Sequence, residues 1–197
     1  NFRPGVAERL GVAFEDIRAL RPDIVYADLT GFGPDGPYSQ RRVYDTVIQG
    51  QSGLAASQTG IHDDQPKLIK QLICDKVTAY TACQAITAAL LARERGSGGQ
   101  HLELSMLDAC IAFMFVDAAD HEVILDGDHS GPQAVAAYNT PFAFRDGFAT
   151  VAVPDDEEFH GLARAMGVDS SDPDLATVKD RVAHPDKTRS FHLQVRE

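Results

Sequence analysis

Between Lys76 and Arg93 the chain carries Val77, Tyr80, Cys83, Ile86 and Leu90 at helical spacings, while Ala79, Ala82, Ala85, Ala88 and Ala89 fill most of the remaining circumference. A helix that is apolar nearly all round belongs in an interior, so the fold has to be built around this segment. At the usual rise it would run about 27 Å. Its end is marked by Arg93-Glu94-Arg95-Gly96-Ser97-Gly98-Gly99, basic residues followed by glycines that can leave the helix. At its start, after the short apolar run Leu72-Ile73-Cys74, stands Asp75. A carboxylate there faces unsatisfied N–H groups at the positive end of the helix dipole, and the ordinary role of such an aspartate is an N-cap.

The segments on either side predict an α/β arrangement. Gly5 to Leu10 and Ala13 to Leu20 read as short helices, the second closed by Arg21-Pro22. Ile24-Val25-Tyr26-Ala27-Asp28-Leu29 follows as a short, nearly continuous apolar strand, the pattern of a parallel strand covered on both faces. The loop beyond it, Gly31-Phe32-Gly33-Pro34-Asp35-Gly36-Pro37-Tyr38, lies where open α/β sheets bind ligands. Its glycines match G-x-G-x-x-G, but Pro34 and Pro37 forbid the helix that a dinucleotide fingerprint needs. Val43 to Leu54 predicts a helix with Tyr44 and Asp45 near its start, behind the basic pair Arg41-Arg42. His101 to Leu104 alternates like a half-exposed strand, and Ser105 with Asp108 imitates a capping box at the head of another helix. Asp108 therefore has a structural explanation and is left out of the chemistry.

The texture changes after residue 125. Residues 126–137 read as a linker, and 138–197 as part of a small α+β domain: a hairpin turning at Arg145-Asp146-Gly147, then helices over Asp155 to Met166 and Asp174 to Ala183. Residues 1–125 form the larger α/β part. The chain opens on Asn1 and passes directly into Phe2-Arg3-Pro4-Gly5, so an internal piece of a longer polypeptide is expected.

Composition excludes some functions. A net charge of −11 argues against non-specific nucleic-acid binding. An anionic small ligand stays open, because Arg3, Arg9, Arg41, Arg42, Lys67 and Lys70 concentrate positive charge in the first 70 residues. No run approaches the roughly 18 apolar residues of a membrane span, and cytoplasm is the expected location. Cys74, Cys83 and Cys110 lie in apolar surroundings without metal-ligand spacing, so reduced, buried thiols and no metal are expected.

Several short motifs occur in a fixed order: Asn1-Phe2-Arg3-Pro4-Gly5 with Arg9-Leu10-Gly11, Gly31-Phe32-Gly33 to Gly36-Pro37-Tyr38, Tyr44-Asp45, Asp75-Lys76, Gly99-Gln100-His101 with Ser105-Met106-Leu107-Asp108-Ala109, and Asp146-Gly147. In that order the chain resembles the family III CoA-transferases, the group of formyl-CoA:oxalate and carnitine CoA-transferases and α-methylacyl-CoA racemases. The resemblance implies an interlocked homodimer, a Rossmann-like large domain that binds coenzyme A, and a smaller α+β domain. It also implies that the family's first βα units and carboxyl-terminal part lie outside this sequence.

By position, the resemblance makes Asp75 the catalytic aspartate, with Tyr44 and Asp45 beside it, and gives Asn1, Phe2, Arg9 and Arg42 as coenzyme A contacts. A carboxylate can attack an acyl-CoA thioester, take up the released thiolate as an aspartyl-CoA thioester, and pass it to an acceptor acid. The helix end is expected to donate N–H groups to the oxyanion at each stage. Arginine suits phosphate because its fork binds two oxygens. Tyr44 separates the branches: the racemases resemble this pattern with a histidine there, and a phenol is a poorer acid/base near neutral pH than imidazole. The substrates implied are an acyl-CoA and a small carboxylic acid. The alternatives are an α-methylacyl-CoA racemase or epimerase, or a non-catalytic CoA-binding or dimer-forming piece. One departure from the family is that Gly127 to Gly131 is too sparse to match the glycine-run loop of the formyl-CoA enzymes.

Overall fold

The computed structural model describes residues 1–59, 65–118 and 141–196. The predicted linker 126–137, with Gly127 to Gly131, lies outside the described residues. The chain divides into two compact units, Asn1–Ala56 with Lys67–Phe115 and Ser57–Pro66 with Val116–Glu197. The protein is an α/β mix, with many helices and two small sheets among the described residues.

The first unit begins with α1 (Val6–Leu10) and α2 (Phe14–Leu20). Strand β1 (Val25–Thr30) then pairs in parallel with β2 (Gln100–Ser105), Val25 opposite Gln100 and Thr30 opposite Ser105. Between the two strands lie α3 (Asp45–Gln51), α4 (Leu54–Ser57) and the long α5 (Ile73–Ala92). A parallel pair needs such a helical crossover. Helix α6 (Met106–Ala118) leaves the end of β2. The core joins Ile48, Leu54, Cys74 and Cys110, with Phe32, Val43, Ile69, Ile73, Met106, Leu107 and Met114 packed around them. Gly31 permits the close approach of loop and strand here, since a Cβ at that position would come within 2.5 Å of Val43.

Several expectations change. Helix α5 starts at Ile73, not near Lys76, so Leu72 is its N-cap and Asp75 sits inside the first turn. The expected helix over Val43 to Leu54 breaks at Gly53, whose φ of 85° ends α3 before α4 begins. Helix α5 buries one face, through Cys74, Val77, Thr78, Ala82 and Ala89, while Tyr80, Leu90 and Leu91 are exposed. Cys83 is exposed on that outer side, whereas Cys74 and Cys110 are buried as expected. Strand β1 is half-buried along its whole length, with β2 as its one partner among the described residues.

In the second unit, β3 (Phe142–Phe144) and β4 (Gly147–Ala149) form the predicted hairpin, shorter than the sequence suggests. Helix α7 (Asp156–Met166) follows, capped by Asp155, whose side chain accepts from the Glu158 N–H at 2.8 Å. A single 3₁₀ turn (Pro173–Leu175) and α8 (Val178–Ala183) divide what the sequence reads as one helix. A further helix, α9 (Pro185–Gln194), is not foreseen; His184-Pro185 separates it from α8, proline being tolerated at a helix start. Phe142, Phe159, Ala163, Leu175, Phe191 and Val195 make the core of this unit.

Candidate functional site

At the carboxyl end of β1 a cavity of about 730 Å³ opens between the first residues of the chain, the loop after β1, and the starts of α3 and α5. Its lining includes Asn1, Phe2, Arg3, Ser39, Arg41, Arg42, Tyr44, Asp75, Thr78 and Met106. Asn1, Phe2, Arg42, Tyr44 and Asp75, scattered through the sequence, are thus brought to one place. Arg9 is not: it belongs to the last turn of α1 and does not line the cavity. Nor does Asp45, which is buried behind it.

The electrostatics of the lining are unusual for so acidic a chain. Asp75 is its single carboxylate, and the same lining holds three arginines, Arg3, Arg41 and Arg42. Arg41 lies over the Tyr38 ring, 4.0 Å from its centroid, which orients that cation. Arg3 and Arg41 join the site beyond the residues expected from the sequence. The Arg41-Arg42 pair was the available signal for one, and the position of Arg3 between two expected contacts for the other. A second cavity, of about 450 Å³, carries Glu8, Glu15, Asp16, Asp28 and Glu103 on its wall and is a poor host for an anionic ligand.

The end of α5 differs from the expected arrangement in a way that matters for chemistry. Asp75 does not cap its own helix. The carboxylate of Asp45, thirty residues earlier, does: its Oδ2 accepts from the N–H of Cys74 at 2.7 Å and of Asp75 at 3.1 Å. The N–H of Ile73 donates to the Gln71 carbonyl and that of Lys76 to the Leu72 carbonyl. The amides of Ile73, Cys74 and Asp75, the first three within the helix, are therefore occupied, and the expectation that they serve an oxyanion is corrected. The helix dipole still favours negative charge there, and the arginines are the remaining cationic groups.

With the amides satisfied by Asp45, the Asp75 carboxylate is exposed to the cavity, and among the described residues no hydrogen bond or ion pair holds it. It is thus free to act as a nucleophile or a base. Tyr44, the N-cap residue of α3, is 68% exposed, so its hydroxyl is available to whatever enters. The neighbouring thiols are not: burial pushes both Cys74 and Cys110 up, which keeps them protonated and inert. Among the described residues no group of His, Cys, Asp or Glu is placed to hold a metal ion, and no helix is long and apolar enough to cross a membrane.

Comparison with known proteins gives this cavity a context. The succinate–glutarate CoA-transferase of Agrobacterium fabrum is 32% identical over 97% of this chain and 48% of its own length. The formyl-CoA:oxalate CoA-transferase of Streptomyces avermitilis is 29% identical over 98% of this chain and 51% of its own. A CAIB/BAIF family protein from Brucella suis superposes with a TM-score of 0.71 at 28% identity, over 98% of this chain and 52% of that one. The chain spans about half the length of the relatives it matches. The model of CoA-transferase family III matches residues 1–193, and with a lone carboxylate set among arginines at the mouth of a parallel strand pair, this chain belongs to that family.

Proposed function

We propose that the full-length protein moves coenzyme A between an acyl-CoA and a free carboxylic acid, with Asp75 as the nucleophile. The observation that carries this is the exposure of Asp75 as the single carboxylate of a cavity holding three arginines. Both substrates are anions, and guanidinium forks suit phosphate and carboxylate alike. Asn1, Phe2 and Arg42 would contact coenzyme A, with Arg3 and Arg41 beside them. Arg9, outside the cavity, would reach only a part of the ligand that extends beyond it.

In the forward half-reaction a carboxylate oxygen of Asp75 attacks the thioester carbonyl, the C–S bond breaks, and a mixed anhydride and a thiolate result. The thiolate then attacks the aspartyl carbonyl, the anhydride C–O bond breaks, and the donor acid leaves from an aspartyl-CoA thioester. The acceptor carboxylate reverses both steps and regenerates Asp75. Charge develops on a carbonyl oxygen at each stage. The Tyr44 hydroxyl can donate a hydrogen bond to it and the arginines can neutralise it, in place of the occupied helix amides.

The same reading includes a Rossmann-like large domain over 1–125, the linker 126–137, the small domain over 138–197, and a homodimer. The apolar residues exposed on α5 and α6, among them Tyr80, Leu91, Ile111 and Phe113, support burial against further protein. Cytoplasm remains the proposed location.

The test is incubation of the full-length protein with an acyl-CoA and short carboxylic acids, beginning with succinyl-CoA and glutarate. Exchange of coenzyme A between acids supports the reading. Deuterium uptake at the α-carbon without exchange would instead favour the racemase chemistry, and neither would leave a binding role. Asp75→Ala should abolish exchange while coenzyme A affinity stays within a few-fold.

A further inference from the structure

Helix α3 carries a buried polar pair with no part in the chemistry above. Asp45 is 4% exposed and Gln49 fully buried, one turn apart. The Gln49 amide donates from Nε2 to Asp45 Oδ1 at 2.6 Å and to the Ile69 carbonyl at 3.0 Å, while its Oε1 accepts the Ile69 N–H at 2.8 Å. The other carboxylate oxygen, Oδ2, holds the amides of Cys74 and Asp75. The approach to α5 is therefore gripped at two points, residue 69 and residues 74–75, by two side chains bonded to each other.

We propose that Asp45 and Gln49 form one clamp that positions Asp75 and Tyr44 for the reaction, and that neither touches substrate. This rests on Asp75 being the nucleophile. Both carboxylate oxygens and both ends of the Gln49 amide are already used within the protein, and neither residue lines the cavity. A cap that served stability alone needs only a short polar side chain at the N-cap, which is Leu72 here, 56% exposed. Instead the cap is drawn from the residue that follows Tyr44 in sequence, and it ends on the peptide of Asp75 itself. Any slackening of this link moves the two cavity residues relative to each other. Displacements of about 1 Å in a reacting group cost on the order of a hundredfold in rate. The assignment also changes the role given to Asp45 by family position, from a catalytic to a positioning residue.

The test uses the full-length protein and three substitutions: Gln49→Met, Asp45→Asn, and Ile48→Val as a core control on the same helix. The clamp predicts that kcat falls at least tenfold in Gln49→Met and in Asp45→Asn, with KM for the acyl-CoA within about threefold. The double variant should be no slower than the worse single one, because the two act as a unit. Ile48→Val should lower thermal stability and leave kcat unchanged. A kcat within twofold of wild type in Gln49→Met overturns the clamp, and so does an equal loss in Ile48→Val. If the variants do not fold, hydrogen exchange in the unaltered protein decides: the clamp predicts protected Cys74 and Asp75 amides, and exchange as fast as in an open helix end overturns it. Full turnover in Asp75→Ala would remove the nucleophile reading and the clamp together. An inactive Asp75→Ala beside a fully active Gln49→Met removes the clamp alone.

Discussion

Helices α5 and α7 each have an aspartate at the start, and the two are used in opposite ways. At α7 the cap is local: Asp155 bonds the N–H three residues on, and three further acids line the first turn. Its carboxylate is committed to the helix. At α5 the cap is remote, supplied by Asp45 from another helix, and the local aspartate keeps its oxygens free. A carboxylate cannot both satisfy a helix end and attack a substrate without giving up one role. Moving the structural duty to a distant residue resolves that conflict at α5, where a cavity lies, and nothing requires it at α7.

The largest stability effect should come from removing the remote cap. Asp45→Ala leaves two first-turn amides and a buried Gln49 without their acceptor, a change expected to cost about 2–4 kcal/mol in denaturant unfolding. A loss below 1 kcal/mol would mean that the start of α5 is satisfied in another way.

The second unit tests the contrast through charge. His192 packs near Phe159 and Phe191, and burial, with Arg196 and Arg181 nearby, pushes its pKa down from 6.5 to about 4. The folded state thus refuses a proton that the unfolded chain accepts. Stability should be full above about pH 6.5 and decline as pH falls toward 4, by on the order of 2–3 kcal/mol. Unfolding followed between pH 7 and 5 checks this, and His192→Gln should flatten that slope.

Smaller still is the local cap. Asp155→Ala should cost about 1 kcal/mol in unfolding and leave turnover intact, since its oxygen serves one exposed amide. At the head of α6, Ser105 Oγ accepts from the Asp108 N–H at 3.0 Å, so the bond runs through the serine and not through the Asp108 carboxylate. Ser105→Ala should therefore cost about 1 kcal/mol, and Asp108→Ala less than about half of that. The reverse order would show that the aspartate holds this helix after all.

What was legible in the sequence follows the same division between local and remote. The helices ending at Leu10 and Met166, the Arg145-Asp146-Gly147 turn and the acidic head of α7 are all legible in the sequence, because each depends on neighbours in the chain. The order of motifs reached the family. The start of α5 was misplaced by three residues because its cap is thirty residues away, and no local pattern marks Asp45 as its source. Gln49 had no signal beyond being one turn from Asp45. The exposure of Tyr80, Cys83 and Leu91 was equally hidden, since an all-round apolar helix states what could be buried and not which face meets a partner. Asp75 and Tyr44 were named from family position. That Arg3 and Arg41 share their cavity is set by tertiary packing, which no local pattern encodes.

The claim that Asp75 is the group freed for covalent chemistry is tested most directly by trapping. The full-length protein is incubated with acyl-CoA, quenched in acid, digested, and the peptide carrying Asp75 is weighed by mass spectrometry. The expected product is a peptide heavier by coenzyme A less one water, with the modification on Asp75 and absent in Asp75→Ala. Efficient exchange of coenzyme A with an unmodified Asp75, or with the adduct on another residue, would contradict it.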